Sequence, residues 1–198
     1  QGLPTKSSPD LNTQQEAQRV GMLEHYHILD TVPEASYDEI VELACEVLGA
    51  DVAFLAFVDA ERCWIKASAN APITQRSFLD TPCHLAIRQD AEFVFSIPDL
   101  RQADFTAHMA VSQEYTTYTS AIIQARSGEA LGVIGLLYRQ HTPLKQTQER
   151  KLLLLKRQTE QLLEQRRIML QFKHQQAALQ RLLNEQAETL KTISHDTR

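Results

Sequence analysis

The end of the chain carries the side chains best suited to group-transfer chemistry, in the order Ser194-His195-Asp196-Thr197-Arg198. Counting heptad positions from Leu190 at a and Ile193 at d puts His195 at position f, which faces solvent on a coiled-coil helix. A hydrated imidazole titrates near neutral pH, so a substantial neutral fraction is available as a nucleophile. The alternative is an ordinary surface histidine near a frayed helix end.

A single long helix must position this histidine, because residues 144–198 contain neither glycine nor proline and follow directly on Pro143. A helix of this length would run about 75–80 Å, more than twice the width of a small domain, so much of it must project and find a partner. Its apolar residues repeat in an a and d pattern that predicts a coiled-coil dimer. This heptad seam consists of Leu155, Leu162, Met169, Phe172, Leu179, Leu183, Leu190 and Ile193.

Glutamines interrupt the seam at positions 158, 165, 176 and 186. Buried amides weaken association while restricting register and partner, which suits a helix that must shift. The final five residues resemble the phosphoacceptor box of sensor histidine kinases, with Thr197 where that box has an aliphatic residue. The resemblance implies that His195 attacks the γ-phosphate of ATP, that Asp196 accepts the imidazole proton or orients the ring, and that Arg198 lies near the phosphate.

Composition excludes several other functions. The hydrophobic content of 43% is enough for one ordinary core plus an extended helix. Residues 1–143 carry 9 basic and 19 acidic side chains, whereas residues 144–193 carry 10 basic and 5 acidic ones. The basic side chains of the helix alternate with Glu and Gln, and Phe172 is its only aromatic residue, so we expect a solvated coiled-coil face and no nucleic-acid arm.

Neither a membrane span nor a secretion signal is expected, because no run approaches about 18 apolar residues. Three cysteines at distant positions indicate a reducing compartment without disulfides or CxxC metal sites, so we expect a cytoplasmic protein. His25 and His27 would point to different faces of a helix, and no metal site is predicted. Gln1-Gly2 resembles the remnant of an expression tag, and we expect the chain to be a fragment of a longer protein.

The order of patterns predicts an α+β fold with one antiparallel sheet. Residues 1–12 should be a flexible lead-in, 13–143 one globular domain, and 144–198 the long helix. Helices are predicted from Thr13 to near Asp30, from Tyr37 to Leu48 with Gly49 as its stop, and from Pro82 to Gln89, with a loosely helical segment from Leu100 to Ala110. Five strands are predicted at 52–58, 63–68, 93–97, 120–125 and 131–138, with Gly132 and Gly135 marking close backbone approach.

Several strings resemble a GAF domain of bacterial signalling proteins over residues 13–165: LDTVPE at 29–34, YDEI at 37–40, WIKA at 64–67, Pro82-Cys83, and LGVIG at 131–135. The resemblance implies a six-stranded antiparallel sheet, a ligand cavity on one face, and dimerisation through terminal helices. The sheet should therefore have five or six strands, with the sixth hidden between residues 70 and 80 or 110 and 118.

A small-molecule pocket beside the sheet is expected, in which Lys66 or Arg76 could meet an anionic group. The alternative for each residue is ordinary packing or surface charge. The candidate residues are Trp64, Lys66, Arg76, Phe78, Cys83, Asp99, Phe105, Tyr115 and Tyr118. No covalent bilin is expected at Cys83, since related photoreceptors carry the attachment cysteine after the position of Asp99 and residues 100–118 contain none.

Two functions fit these observations. The first is the sensory domain and dimerising signalling helix of a two-component sensor histidine kinase, which forms a parallel homodimer through 144–193 and passes phosphate to a response regulator. The piece itself would hold no cofactor and catalyse nothing, and ATP and Mg²⁺ would bind a separate catalytic domain. The alternative is a GAF and coiled-coil module that controls another output, such as a cyclase or phosphatase.

Overall fold

The computed structural model describes residues 13–71, 76–77, 81–102 and 110–196. The chain begins with two helices, α1 (Thr13–His25) and α2 (Ala35–Leu48), which precede the hairpin of β1 (Val52–Val58) and β2 (Arg62–Ala69). Then come β3 (Arg76–Ser77), the short helix α3 (Cys83–Ala86), β4 (Phe95–Ile97) and a 3₁₀ turn (Ala110–Gln113). A second hairpin, β5 (Thr117–Gln124) and β6 (Ala130–Tyr138), leads into the long helix α4 (Gln146–Asp196).

The strands of the described residues form one antiparallel six-stranded sheet in the order β3-β2-β1-β6-β5-β4. This confirms the α+β fold with a long C-terminal helix, and β3 is the short strand expected between residues 70 and 80. Central strand β1 is buried at every position, as its unbroken apolar run predicts. Its register with β2 shifts between Leu55 and Ala56, a bulge that lies opposite Lys66.

The sheet separates two apolar layers. On its helical face, α1, α2 and the first half of α4 cover alternate residues such as Leu55 and Phe57. On its opposite face, α3 and the neighbouring segments cover Phe54 and Ala56. Strand β6 approaches β1 closely at Gly132 and Gly135, as predicted from these glycines. A Cβ at Gly132 would lie 2.0 Å from the backbone oxygen of Ala56.

Helix ends differ from the sequence prediction in two places. Helix α1 ends at His25, not near Asp30, because His27 and Asp30 adopt positive φ angles of 47° and 58° that a helix cannot continue through. The predicted helix from Pro82 to Gln89 is reduced to α3. Helix α2 ends as predicted: Gly49 adopts a left-handed conformation, and its N–H donates to the carbonyl of Cys45. Most of the predicted helical segment after Leu100 lies outside the described residues.

Candidate functional site

Helix α4 runs without interruption from the domain core to Asp196. Its first half packs on the sheet through Leu152, Leu155, Thr159 and Leu163, all of them buried and spaced three or four residues apart. From residue 171 to 194 every described side chain is exposed. The helix includes His195 and ends at Asp196, whereas Thr197 and Arg198 lie outside the described residues.

The projecting part of α4 leaves the distal heptad seam uncovered in the single chain. Six seam residues from Met169 to Ile193 are between 51% and 68% exposed. These apolar side chains repeat along one side of the projecting helix at a and d spacings. At about 1.5 Å per residue, the 26 residues from 171 to 196 carry the histidine about 39 Å beyond the domain.

A network centred on Glu34 holds α4 where it leaves the domain. The Glu34 carboxylate accepts hydrogen bonds from Arg166 of α4, at 3.2 Å, and from Lys66 of β2, at 2.5 Å. Arg166 also donates to the backbone oxygens of Tyr26 and His27. One side chain before α2 therefore connects the sheet to helix α4.

The side chain of Lys66 is fully buried on the helical face of the sheet. Its ammonium group donates to Glu34, to the hydroxyl of Thr31 at 2.8 Å and to the backbone oxygen of Val32 at 2.7 Å, and it lies 5.1 Å from the ring centre of Tyr37. A buried ammonium requires such partners because its desolvation is costly. These contacts occupy all three of its protons, so Lys66 does not face a ligand pocket.

A second contact fixes α4 at Glu164, two residues before Arg166. The Tyr26 hydroxyl donates a hydrogen bond to Glu164, which also pairs with Arg167 at 3.0 Å. Burial and the hydrogen bond to the Glu164 carboxylate raise the pKa of Tyr26 to about 12. Both networks join α4 to the segment between α1 and α2, at the point where the helix leaves the domain.

The opposite face of the sheet carries a thiol cluster, formed by Cys63, Cys83 and Tyr118. All three side chains are at most 1% exposed. The Tyr118 hydroxyl donates to the Cys83 sulfur at 3.9 Å, and the two thiols hydrogen-bond to each other. Burial raises the pKa of Tyr118, whereas the hydrogen bond from Cys63 lowers the pKa of Cys83.

The predicted pocket residues do not line a single site. The sheet separates Trp64 and Lys66, on its helical face, from Cys83, Tyr115 and Tyr118, on its opposite face. Pairing Lys66 with a ligand on the Cys83 side would require its side chain to pass through the sheet. Trp64 and Lys66 therefore lie across the sheet from Cys83, Tyr115 and Tyr118, and the ligand pocket itself stays a prediction.

The remaining predicted residues are only partly described. Asp99 accepts a hydrogen bond from the backbone N–H of Arg101 at 2.9 Å, an ordinary turn contact. The side chains of Arg76, Phe78 and Phe105 lie outside the described residues, as do those of His195 and Asp196. Within the described part of the chain, no cluster of three His, Cys, Asp or Glu residues could hold a metal ion, and no helix is long and apolar enough to cross a membrane.

Sequence reasoning missed Glu34, Arg166 and a second buried cation, Arg19. Arg19 is 4% exposed and donates to the backbone oxygen of Val58 at 2.6 Å and to the carboxylate of Glu16. The sequence did indicate an acidic partner for Lys66, since a buried cation in an apolar strand is costly without a nearby anion. Nothing in the sequence specified which of 25 acidic residues would supply it.

An apolar groove runs between α2 and α4 on the side of the domain where the heptad seam begins. Its volume is about 650 Å³, and Leu43 and Leu154 on its walls are 45% and 58% exposed. Leu155 and Leu162, the first two seam residues, lie at its base. The exposed apolar surface of the domain is thus continuous with that of the projecting helix.

Comparison with known proteins relates the chain to others through its fold. No family model matches the sequence, and no curated protein does. The GAF domain of an Acinetobacter phosphoenolpyruvate-protein phosphotransferase superposes with a TM-score of 0.57 at 14% identity, over 77% of this chain and 92% of that one. The blue-light absorbing form of the PixJ GAF domain from Thermosynechococcus elongatus gives 0.55 at 11% identity, over 85% and 96%.

A third similar structure is a domain of a putative two-component sensor histidine kinase protein from Sinorhizobium meliloti, with a TM-score of 0.51 at 14% identity. The match covers 70% of this chain and 94% of that one. Identities this low show the fold and nothing beyond it. Together with the six-stranded sheet and its flanking helices, they establish that the chain has the fold of a GAF domain.

Proposed function

We propose that the chain is the sensory domain and signal-transmitting helix of a two-component sensor histidine kinase. One observation carries this proposal: the helix that packs in the domain core through Leu152 and Leu163 runs unbroken to His195. A rearrangement of the domain would move the helix and, with it, the box that resembles a phosphoacceptor site. The sensor-kinase neighbour supports the proposal through its fold alone.

In this function His195 is the phosphoryl acceptor. Its neutral imidazole nitrogen attacks the γ-phosphorus of ATP in line, the N–P bond forms, and the bond to the bridging oxygen breaks as ADP leaves. Asp196 accepts the imidazole proton or orients the ring, and Arg198 offsets the phosphate charge. ATP and Mg²⁺ bind a catalytic domain outside this chain, and the phosphoryl group then passes to an aspartate of a response regulator. In this proposal all of these steps take place in the cytoplasm.

The proposed assembly is a parallel homodimer through residues 144–193. The distal heptad seam is uncovered along α4, and a second copy of the same helix offers the complementary a and d side chains. The groove beside Leu43 and Leu154 extends this apolar surface onto the domain. A parallel arrangement is required by the function, because both chains must present His195 at the same end.

A small molecule bound beside the thiol cluster is the proposed input of the domain. We expect no covalent bilin here, and the burial of the Cys83 sulfur beside Tyr118 supports that expectation. Trp64 and Lys66 are excluded as contacts of such a ligand, since they lie beneath the helices on the other face. The chemistry of the ligand must therefore be set by residues on the α3 side.

Phosphoryl labelling tests the proposal. The chain is fused in helical register to the remainder of a histidine-kinase dimerisation and catalytic domain and incubated with γ-labelled ATP. We expect an acid-labile, alkali-stable label that His195→Gln abolishes, because glutamine keeps polarity and approximate size but removes the nucleophilic nitrogen. The matched control is His174→Gln, which alters an exposed histidine of the same helix outside the box. Equal labelling of both variants would contradict the assignment of His195.

The second candidate is a GAF and coiled-coil module that controls another output domain, such as a cyclase or phosphatase. The exposed seam favours it as strongly as it favours the kinase, since either output needs a dimer. In that case the fusion would remain dimeric, and no label would reach residue 195. The same experiment therefore distinguishes the two functions.

A further inference from the structure

The two thiols on the opposite face of the sheet take no part in the phosphoryl transfer proposed above. Cys63 is the second residue of β2, and Cys83 is the first residue of α3, twenty positions later. Their sulfurs are within hydrogen-bonding reach of each other inside one apolar layer, and both are 1% exposed. The third cysteine, Cys45, belongs to the layer on the helical face.

The two thiols occupy chemically different positions. Cys83 accepts hydrogen bonds from Cys63 and from the Tyr118 hydroxyl, and these donors lower the pKa of the Cys83 thiol. Cys63 donates to Cys83, and that hydrogen bond together with burial raises the pKa of the Cys63 thiol. A thiolate is the reactive form of cysteine, so Cys83 is the nucleophile of the pair and Cys63 is its neutral neighbour.

We propose that Cys63 and Cys83 are a redox-active pair, in which a small peroxide oxidises Cys83 and Cys63 then closes an intramolecular disulfide. The Cys83 thiolate attacks one oxygen of hydrogen peroxide, the O–O bond breaks, and the departing hydroxide takes a proton to leave as water. The Cys63 sulfur then attacks the sulfenic sulfur of Cys83, the S–O bond breaks, a second water leaves, and the S–S bond forms. Two thiols lose two electrons, and one peroxide gains them.

The surroundings of the pair determine what it can react with. Near-complete burial keeps a thiol of another protein from reaching either sulfur, so the proposed oxidant is a small peroxide. The product would connect β2 to the start of α3 across the opposite face of the sheet. Oxidation would thereby alter the layer on that face while leaving Cys45 and the helical face as they are.

Peptide mapping of the intact chain tests this pair. The protein is treated with stoichiometric hydrogen peroxide, denatured, alkylated and digested with trypsin. Cys63 lies in the tryptic peptide 63–66, Cys83 in 77–88 and Cys45 in 20–62. We expect the loss of two of the three alkylatable thiols and a single linked species, 63–66 joined to 77–88, which thiol reductant reverses. Retention of all three thiols, or linkage of either peptide to 20–62, would overturn the proposal.

Two variants test the assigned roles. Cys63→Ser keeps a hydroxyl donor beside Cys83 and removes the resolving sulfur, so peroxide should leave a sulfenic acid on Cys83 that dimedone traps. Cys83→Ser should show at least tenfold less dimedone labelling at Cys63, since that thiol lacks the donors of Cys83. The control Cys45→Ser should still form the linked peptides. Equal labelling of Cys63 and Cys83 in the two variants would refute the assignment of the nucleophile.

Discussion

Replacing Glu34 should destabilise the domain more than replacing its buried partner Lys66. In Glu34→Ala, the buried ammonium of Lys66 would retain only the Thr31 hydroxyl and the Val32 carbonyl as acceptors. Leaving a buried charge unpaired costs about 3–5 kcal/mol. In Lys66→Met, by contrast, the charge itself is replaced by an apolar chain of similar length. The Glu34 side chain is 35% exposed and keeps Arg166, so this change should cost about 1–2 kcal/mol.

Thermal unfolding followed by tryptophan fluorescence measures both changes. Trp64 is the only tryptophan and lies two residues from Lys66 in the same buried layer, so its emission reports this part of the domain and not the projecting helix. At about 2–4 °C per kcal/mol, Glu34→Ala should lower Tm by about 6–20 °C. Glu46→Ala, at an exposed position of α2, should change the free energy of unfolding by less than about 0.5 kcal/mol. A larger loss in Lys66→Met than in Glu34→Ala would refute the reasoning.

Two further predictions concern backbone space and acid stability. Gly135→Ala should lower the free energy of unfolding by about 1–3 kcal/mol, because its Cβ would lie 2.4 Å from the Phe54 ring. Gly21→Ala should raise the free energy of unfolding by about 0.5–1 kcal/mol, since open space surrounds that position within α1. Urea unfolding measures both changes. Hydrogen bonds from Arg19 lower the pKa of Glu16 in the folded protein. The ionised carboxylate therefore stabilises the fold fully above its unfolded pKa of about 4.3. This stabilisation is lost as the pH falls through the pKa of Glu16 in the folded protein. Glu16→Gln should therefore flatten the decline of stability below about pH 4.3, and an unchanged slope would contradict it.

Local signals predicted the main elements of the fold. The apolar run of β1 lies between Asp51 and Asp59 and forms a strand over the predicted residues, and Gly49 ends α2 because a left-handed residue is needed there. The absence of glycine and proline after Pro143 predicted α4. In each case the residues that determine the structure are neighbours in sequence, so the pattern is visible without tertiary contacts.

The arrangement of the site depended on contacts that sequence spacing does not reveal. Glu34 and Arg166 are 132 residues apart, and no local pattern pairs them. Trp64 and Cys83 were grouped by type, whereas the alternation of β2 puts Trp64 on the helical face and its neighbour Cys63 beside Cys83 on the opposite face. The bulge opposite Lys66 further altered which residues of β2 share a face.

The central claim is that two chains carry His195 side by side at the same end of a parallel helix pair. Disulfide trapping at Ile193→Cys tests it, because Ile193 is a d position and its counterpart in a parallel dimer lies directly across the seam. The matched control is Thr192→Cys, an exposed neighbour at the outward c position, and the three native cysteines are buried. We predict rapid cross-linking of Ile193→Cys to a species of twice the 22.5 kDa chain mass, with little for Thr192→Cys. A monomeric Ile193→Cys product, or equal cross-linking at both positions, would contradict the parallel seam.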